Sequence, residues 1–392
     1  MFYFSSPRRP ASKFKKLYLA VGFLIYTDTS FAQFVDPFSA IAAGDMTSSS
    51  AVLWAQIRNG DGTNQLSGAA TPLRVDVSTN PTFATGLLSL NGVSDPVNGN
   101  TLKILASGLS ANTQYYYRFS NGGTYSDTGA FFTNPTTSQI VPFKMGFSGD
   151  YDAQYRPYTV MNGFGTNANP GSSGLRYFIN LGDIIYERVA KGSPALPNLS
   201  PSSSAADNQN ALNDFYRKYI EDVTGVDSNG AMVSTSGQQG IKKLLASTGV
   251  YTLLDNHELY NAMISGGAPQ DSLKENYLCG DTTPGFAPPA GAPCLSSASN
   301  NQAGATYINK TTTFNTMEKT FFNTQATAAQ INGQPSTGMT TNNLININPT
   351  VVAPNDPRSN GTPQNYFSRE WGGAARYTVS YTHLRAHETR ED

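Results

Sequence analysis

Arg176-Tyr-Phe-Ile-Asn-Leu-Gly-Asp-Ile-Ile-Tyr-Glu-Arg188 is the stretch on which the reading of this chain turns. Tyr177 to Leu181 is an apolar run of strand length, and Gly182 breaks it so that Asp183 emerges where the strand ends. A second run of the same design, Val250-Tyr-Thr-Leu-Leu-Asp-Asn-His-Glu258, ends in another cluster of oxygen and nitrogen donors. In open α/β sheets ligands bind beyond the carboxyl ends of the strands. Two strands ending this way predict one metal site.

Upstream, Ile140 to Phe147 reads as the first strand of the same domain, ending in Ser148-Gly-Asp-Tyr-Asp152, with a helix expected over Arg156 to Gly163. Lys191 to Asn210 is rich in Pro, Ser, Ala and Asn and reads as an inserted loop. Helices are expected over Ala211 to Val223, with Leu212, Phe215, Tyr219 and Val223 on the core side, and over Ile241 to Ala246. Alternation of strand and helix predicts a layered α/β domain over 140–378. Its segment 266–354 reads as long loops around one helix, Phe314 to Asn323, and Gln364 to Tyr377 reads as a hairpin.

Ahead of this domain, residues 33–136 read as an all-β module. Ala51 to Ile57, Leu73 to Ser78, Thr101 to Leu105 and Tyr115 to Phe119 are short segments of period-two character between Gly, Asn, Asp and Pro turns, the spacing of a β-sandwich. Leu109-Ser-Ala-Asn-Thr-Gln-Tyr-Tyr-Tyr-Arg118 is similar to the fibronectin type III pattern, in which a Leu and a Tyr open the penultimate strand as a tyrosine corner. Trp54 reads as a core aromatic.

At 392 residues, two domains are the natural division. The net charge of −1 carries no nucleic-acid footprint, and the charged share of 14% suits an exported protein. Arg8, Arg9, Lys13, Lys15 and Lys16 precede the apolar Leu17 to Tyr26, and Ser30-Phe31-Ala32 offers small residues to a signal peptidase. Residues 1–32 are therefore expected to be a signal peptide, leaving no membrane span after cleavage and a periplasmic or extracellular product. Cys279 and Cys294 are the two cysteines, and in an oxidising compartment a bridge between them would contribute roughly 3 kcal/mol. Val379-Ser-Tyr-Thr-His-Leu-Arg-Ala-His-Glu-Thr389 reads as the translation of a transposase-based sequencing adapter. The expectation is an artefactual tail over 379–392, a gene cut at about Thr378, and His257 as the one native histidine.

A carboxylate at each of two strand ends, Tyr186 three residues beyond Asp183, and the pair Asn256 and His257 suit hard cations such as Fe(III), Ca, Mn or Zn. Two such cations would clamp a phosphate, with Asp183 able to bridge them. Arg188 offers bidentate charge-assisted hydrogen bonds to phosphate oxygens.

At these residues the chain resembles the PhoD-type alkaline phosphatases of the calcineurin-like metallophosphoesterase superfamily. Leu181-Gly-Asp-Ile-Ile-Tyr-Glu187 is similar to the family's Leu-Gly-Asp-Tyr-Ile-Tyr-Glu, and Leu254-Asp-Asn-His-Glu258 to its Trp-Asp-Asp-His-Glu. The resemblance implies a β-sandwich ahead of a metallophosphoesterase α/β domain, with Asp183, Tyr186 and Asn256 as metal ligands and His257 assisting leaving-group protonation or phosphate binding. It implies Fe and Ca as metals, and a phosphomonoester, or a phosphodiester, as substrate. The family's first strand ends in Ser-Cys-Gln. Here Ser148 is followed by Gly149 and Asp150, so the thiolate is absent, and Asp150, with Asp152 next, is the expected substitute ligand. Phe367-Ser-Arg-Glu-Trp-Gly-Gly373 resembles the segment just before the family's Asp-x-Arg motif, so a chain cut there is expected to be inactive as it stands. A second reading of the same residues is an extracellular binding or adhesion protein with a non-catalytic phosphatase-like domain.

Overall fold

The computed structural model describes residues 38–58, 68–151, 158, 161, 174–185, 205–224, 240–255, 257–258, 320–327 and 367–379. In chain order the strands are β1 (Phe38–Gly44), β2 (Ser50–Ile57), β3 (Pro72–Ser78), β4 (Leu88–Val93), β5 (Thr101–Ser107), β6 (Gln114–Asn121), β7 (Thr124–Tyr125) and β8 (Gly129–Phe132). They continue with β9 (Met145–Ser148), β10 (Tyr177–Asn180), β11 (Gly249–Thr252), β12 (Phe367–Trp371) and β13 (Ala375–Val379). Two helices, α1 (Ala205–Thr224) and α2 (Gly240–Ser247), lie between β10 and β11 in sequence, and residues 320–324 are also helical.

The strands form a six-stranded sheet in the order β5-β2-β1-β11-β10-β9, a second sheet in the order β4-β3-β6-β7 with β8 on β6, and the β12-β13 hairpin. Within the large sheet β5, β2 and β1 are antiparallel, whereas β11, β10 and β9 are parallel. The two blocks meet at β1 and β11, which pair in parallel with Ala43 opposite Gly249 and Gly44 opposite Val250. The early all-β strands and the later α/β strands therefore share one sheet.

That sheet is covered on both faces. Ala40, Ala42, Val52, Trp54, Phe178 and Val250 belong to one core, with Phe215, Tyr219 and Val223 of α1 and Ile241, Leu244 and Leu245 of α2. Ile41, Ala43, Leu53, Ala55, Ile179 and Tyr251 point the other way, into a core with Val75, Val77, Tyr117 and Phe119 of the second sheet. Alternate residues of one strand serve opposite cores because successive side chains leave a strand on opposite sides. With both sides buried there is no polar alternation, and β1, buried at every position, carries no period-two signal. It was not among the expected strands for that reason.

Helix α1 bears Phe215, Tyr219 and Val223 on its buried face as its periodicity predicts, while the side chain of Leu212 lies outside the described residues. The helix begins at Ala205, six residues inside the stretch read as a loop insertion. Ala205, Ala206, Asn208, Gln209 and Asn210 tolerate a helix once the apolar stripe beyond them is anchored. The first α/β strand is shorter than expected. Pro142 has no amide to donate, and pairing begins only at Met145.

Two local devices match the sequence reading. The Tyr115 hydroxyl accepts a hydrogen bond from the Ser110 amide at 2.8 Å, a tyrosine corner at the start of β6. Trp54 is buried in the helix-side core, and its indole N–H donates to the Asn323 carbonyl at 2.7 Å. The hairpin expected near 364–377 is β12-β13, and its second strand runs to Val379. Fully buried Trp371 packs 5.5 Å from both Phe143 and Tyr177. Its indole N–H donates to Val141 at 3.1 Å. No helix among the described residues is long and apolar enough to cross a membrane.

Candidate functional site

Ser148, Asn180 and Thr252 lie on one row across β9, β10 and β11, so the three strands end level. Leu181 donates to the Ser148 carbonyl at 2.8 Å and Leu253 to the Asn180 carbonyl at 2.9 Å, extending the ladder one step before the chain turns. Beyond that step Asp150, Asp183 and Asp255 follow at the carboxyl ends of three parallel strands.

The turns interlock through their backbones. Asp150 donates to the Gly182 carbonyl at 3.2 Å, and Tyr151 to the Asp183 carbonyl at 2.7 Å. Asp150 and Asp183 both have positive φ, 61° and 51°, a conformation that Asp tolerates better than most residues. Gly182 is required: its φ is +96°, and a Cβ there would lie 2.5 Å from the Asp255 amide nitrogen. The absence of a side chain at 182 lets the β10 turn pass directly against the β11 turn.

Side chains then join the two turns. Asp183 Oδ1 accepts from the His257 amide at 3.0 Å. In the opposite direction Glu258 Oε1 accepts from the Ile184 amide, and Glu258 Oε2 from the Asp255 amide at 2.9 Å. Asp183 is 5% exposed and Glu258 fully buried. Burial raises the Asp183 carboxyl to about 6; the hydrogen bond from His257 and the His257 charge oppose this, and Asp255 and Asp150 add to it. Burial lifts Glu258 to about 8, with Asp183 contributing, against hydrogen bonds from the backbone of Ile184, Asp255 and Asp183. Burial likewise raises the Tyr219 hydroxyl of α1, which faces Glu258, Asp222 and Asp183.

Of the expected site residues, the fold brings Asp183 and His257 into direct contact and sets Asp150, solvent-exposed, on the adjoining turn. Tyr186, Arg188, Asn256 and Asp152 lie outside the described residues, as do Cys279, Cys294 and the proposed tail beyond Val379. Sequence reasoning placed Asp255 and Glu258 in the donor cluster at the end of the second strand but gave neither a role of its own. Their signal was their place beside Asn256 and His257 in the same turn.

Among the described residues no three His, Cys, Asp or Glu side chains gather as a metal-holding group. The donor chemistry nonetheless fits a hard cation. Asp183 is buried, and Asp255 and Asp150 further disfavour its anion, a cost that a bound cation would offset.

The profile of the PhoD-like phosphatase N-terminal domain matches residues 29–135, the part that folds as β1 to β8. Over those residues the sequence is similar to the PhoD-like N-terminal domain. Alkaline phosphatase D of Bacillus subtilis strain 168 is 28% identical to it over 157 residues, 38% of this chain and 25% of the relative. The PhoD-like fold extends past the matched module. A solved structure of PhoD superposes with a TM-score of 0.56 at 17% identity, over 89% of this chain and 53% of that one. The chain thus spans about a quarter of the curated relative and about half of the solved structure.

Proposed function

We propose that this PhoD-like chain belongs to an exported, metal-dependent phosphoric ester hydrolase acting on phosphomonoesters or phosphodiesters. The observation that carries the reading is that Asp150, Asp183 and Asp255 each follow the level carboxyl end of one of three parallel strands, with Asp183 buried and tied to His257. Such a row of acidic turns is where a layered α/β domain places a hard cation and an anionic substrate.

In this reading the fibronectin-like module covers 33–136 and the phosphoesterase domain begins at 140. Asp183, Tyr186 and Asn256 hold the metal, and Asp150 takes the remaining position on the first strand. Fe and Ca are the metals that the family resemblance favours, with Mn and Zn suited to the same donors. When bound, the cation withdraws charge from a phosphoryl oxygen and acidifies an attacking water. His257 hydrogen-bonds the phosphate or delivers a proton to the departing alkoxide, and Arg188 grips the non-bridging oxygens. Asp183, held by the His257 amide, enters the reaction already oriented. The basic, apolar and small-residue sequence of 1–32 supports export.

The test is metal content by plasma mass spectrometry, together with turnover of 4-nitrophenyl phosphate and bis(4-nitrophenyl) phosphate by a protein that carries this chain at the full length of its relatives. Stoichiometric metal in the wild type, and its loss with turnover in Asp183→Asn, supports the proposal. Wild-type protein that takes up no metal, or whose turnover survives chelation and Asp183→Asn, overturns it.

A further inference from the structure

Glu258 is fully buried, and its two oxygens face two different turns. Oε1 takes the Ile184 amide of the β10 turn, and Oε2 takes the Asp255 amide of the β11 turn at 2.9 Å. Asp183 Oδ1 takes the His257 amide at 3.0 Å, so a carboxylate from each turn satisfies an amide of the other. The arrangement is a reciprocal tie, with the logic of a capping box transferred from a helix end to a pair of strand ends.

We infer that Glu258 is the positioning residue of the site, its carboxylate spanning the β10 and β11 turns and setting the spacing at which their oxygen donors meet a cation. Burying a carboxylate beside Asp183 is costly, and an apolar side chain would fill the space at less expense. What an apolar side chain lacks is two divergent acceptors for two amides on separate turns. Gly182 makes the same contact possible from the other side, because the turns approach too closely for a side chain at 182. The cation role of this tie rests on the metal reading above, whereas the tie itself does not.

Glu258→Gln is the informative variant, since it keeps the volume but replaces one acceptor oxygen by a donor that opposes a backbone amide. In the ¹⁵N-labelled full chain without metal, we expect the Ile184 and Asp255 amide proton resonances to move upfield in Glu258→Gln. Affinity for Mn²⁺ alone, read by electron paramagnetic resonance of the free ion, is expected to fall about 10- to 100-fold in Glu258→Gln. A Glu258→Gln protein that melts earlier but keeps both amide resonances and its Mn²⁺ affinity has lost only packing, and the inference is then wrong. Should the wild type bind no Mn²⁺, the metal reading fails and the amide resonances alone decide: movement sustains the tie and unmoved resonances refute it.

Discussion

Gly182 is a single residue on which the site depends twice, through its positive φ and through the space that its missing side chain leaves to Asp255. Gly182→Ala is therefore expected to cost roughly 2–4 kcal/mol in urea unfolding, the sum of a strained backbone and a backbone clash. A cost below about 1 kcal/mol would mean that the two turns are not in contact. Tyr115 offers a milder case. Tyr115→Phe leaves the Ser110 amide without its acceptor, and a loss of about 1–2 kcal/mol is expected by the same measurement.

At the scale of elements, the segment 320–327 is fastened to the β-rich layer by buried polar groups. Lys103 of β5 donates to the Phe322 carbonyl and to the Thr327 carbonyl at 2.9 Å, Trp54 donates to Asn323, and Thr327 donates to Asp45 at 3.1 Å. Burial lowers the Lys103 ammonium to about 7, with Asp45 acting against the shift. The sign follows from the protons bound. Between about pH 7 and the ordinary lysine value the unfolded chain holds a proton on Lys103 that the folded chain does not, so folding becomes more favourable as pH rises through that window. This contribution reaches the order of a few kcal/mol by the upper end. Unfolding free energies measured at pH 7 and pH 9.5 should rise for the wild type relative to Lys103→Met. Parallel curves for the two proteins would show that Lys103 is not buried as a neutral amine.

The same elements show what a local pattern can and cannot carry. Tyr177 to Asn180 and Gly249 to Thr252 were legible as strands because each is a compact apolar run closed by a turn residue and a polar cluster. Helix α1 was legible in its amphipathic second half, where Phe215, Tyr219 and Val223 repeat at helical spacing. Its first residues, and the whole of β1, were not. They carry no periodic pattern: β1 takes its conformation from the layers on its two sides, and the first residues of α1 continue a helix anchored by the stripe beyond them.

For the whole molecule, the parallel pairing of β1 with β11 makes one sheet of segments some two hundred residues apart in sequence. Cooperative unfolding of both blocks is the expected consequence. Two tryptophans report on it, Trp54 in the core beneath the helices and Trp371 in the core between the sheets. Single-tryptophan proteins made by Trp54→Phe and Trp371→Phe should unfold at denaturant midpoints that coincide with far-ultraviolet circular dichroism of the same variant. Separate midpoints within one variant would show that the blocks fold independently despite sharing hydrogen bonds.

By itself the sequence determined where acidic side chains leave the sheet, since a strand-length apolar run followed by Gly-Asp or Asp-Asn-His is readable from neighbours alone. It also carried the tyrosine corner and the PhoD-like motifs. Tertiary structure alone decided that β1 and β11 join two blocks into one sheet, that Lys103 reaches the 320–327 segment, and that Glu258 and Asp183 cross-tie their turns. Each of these is a contact between residues far apart in the chain. Buried carboxylates and amines take their partners and their proton affinities from the layers that surround them, and a local pattern holds no record of those layers.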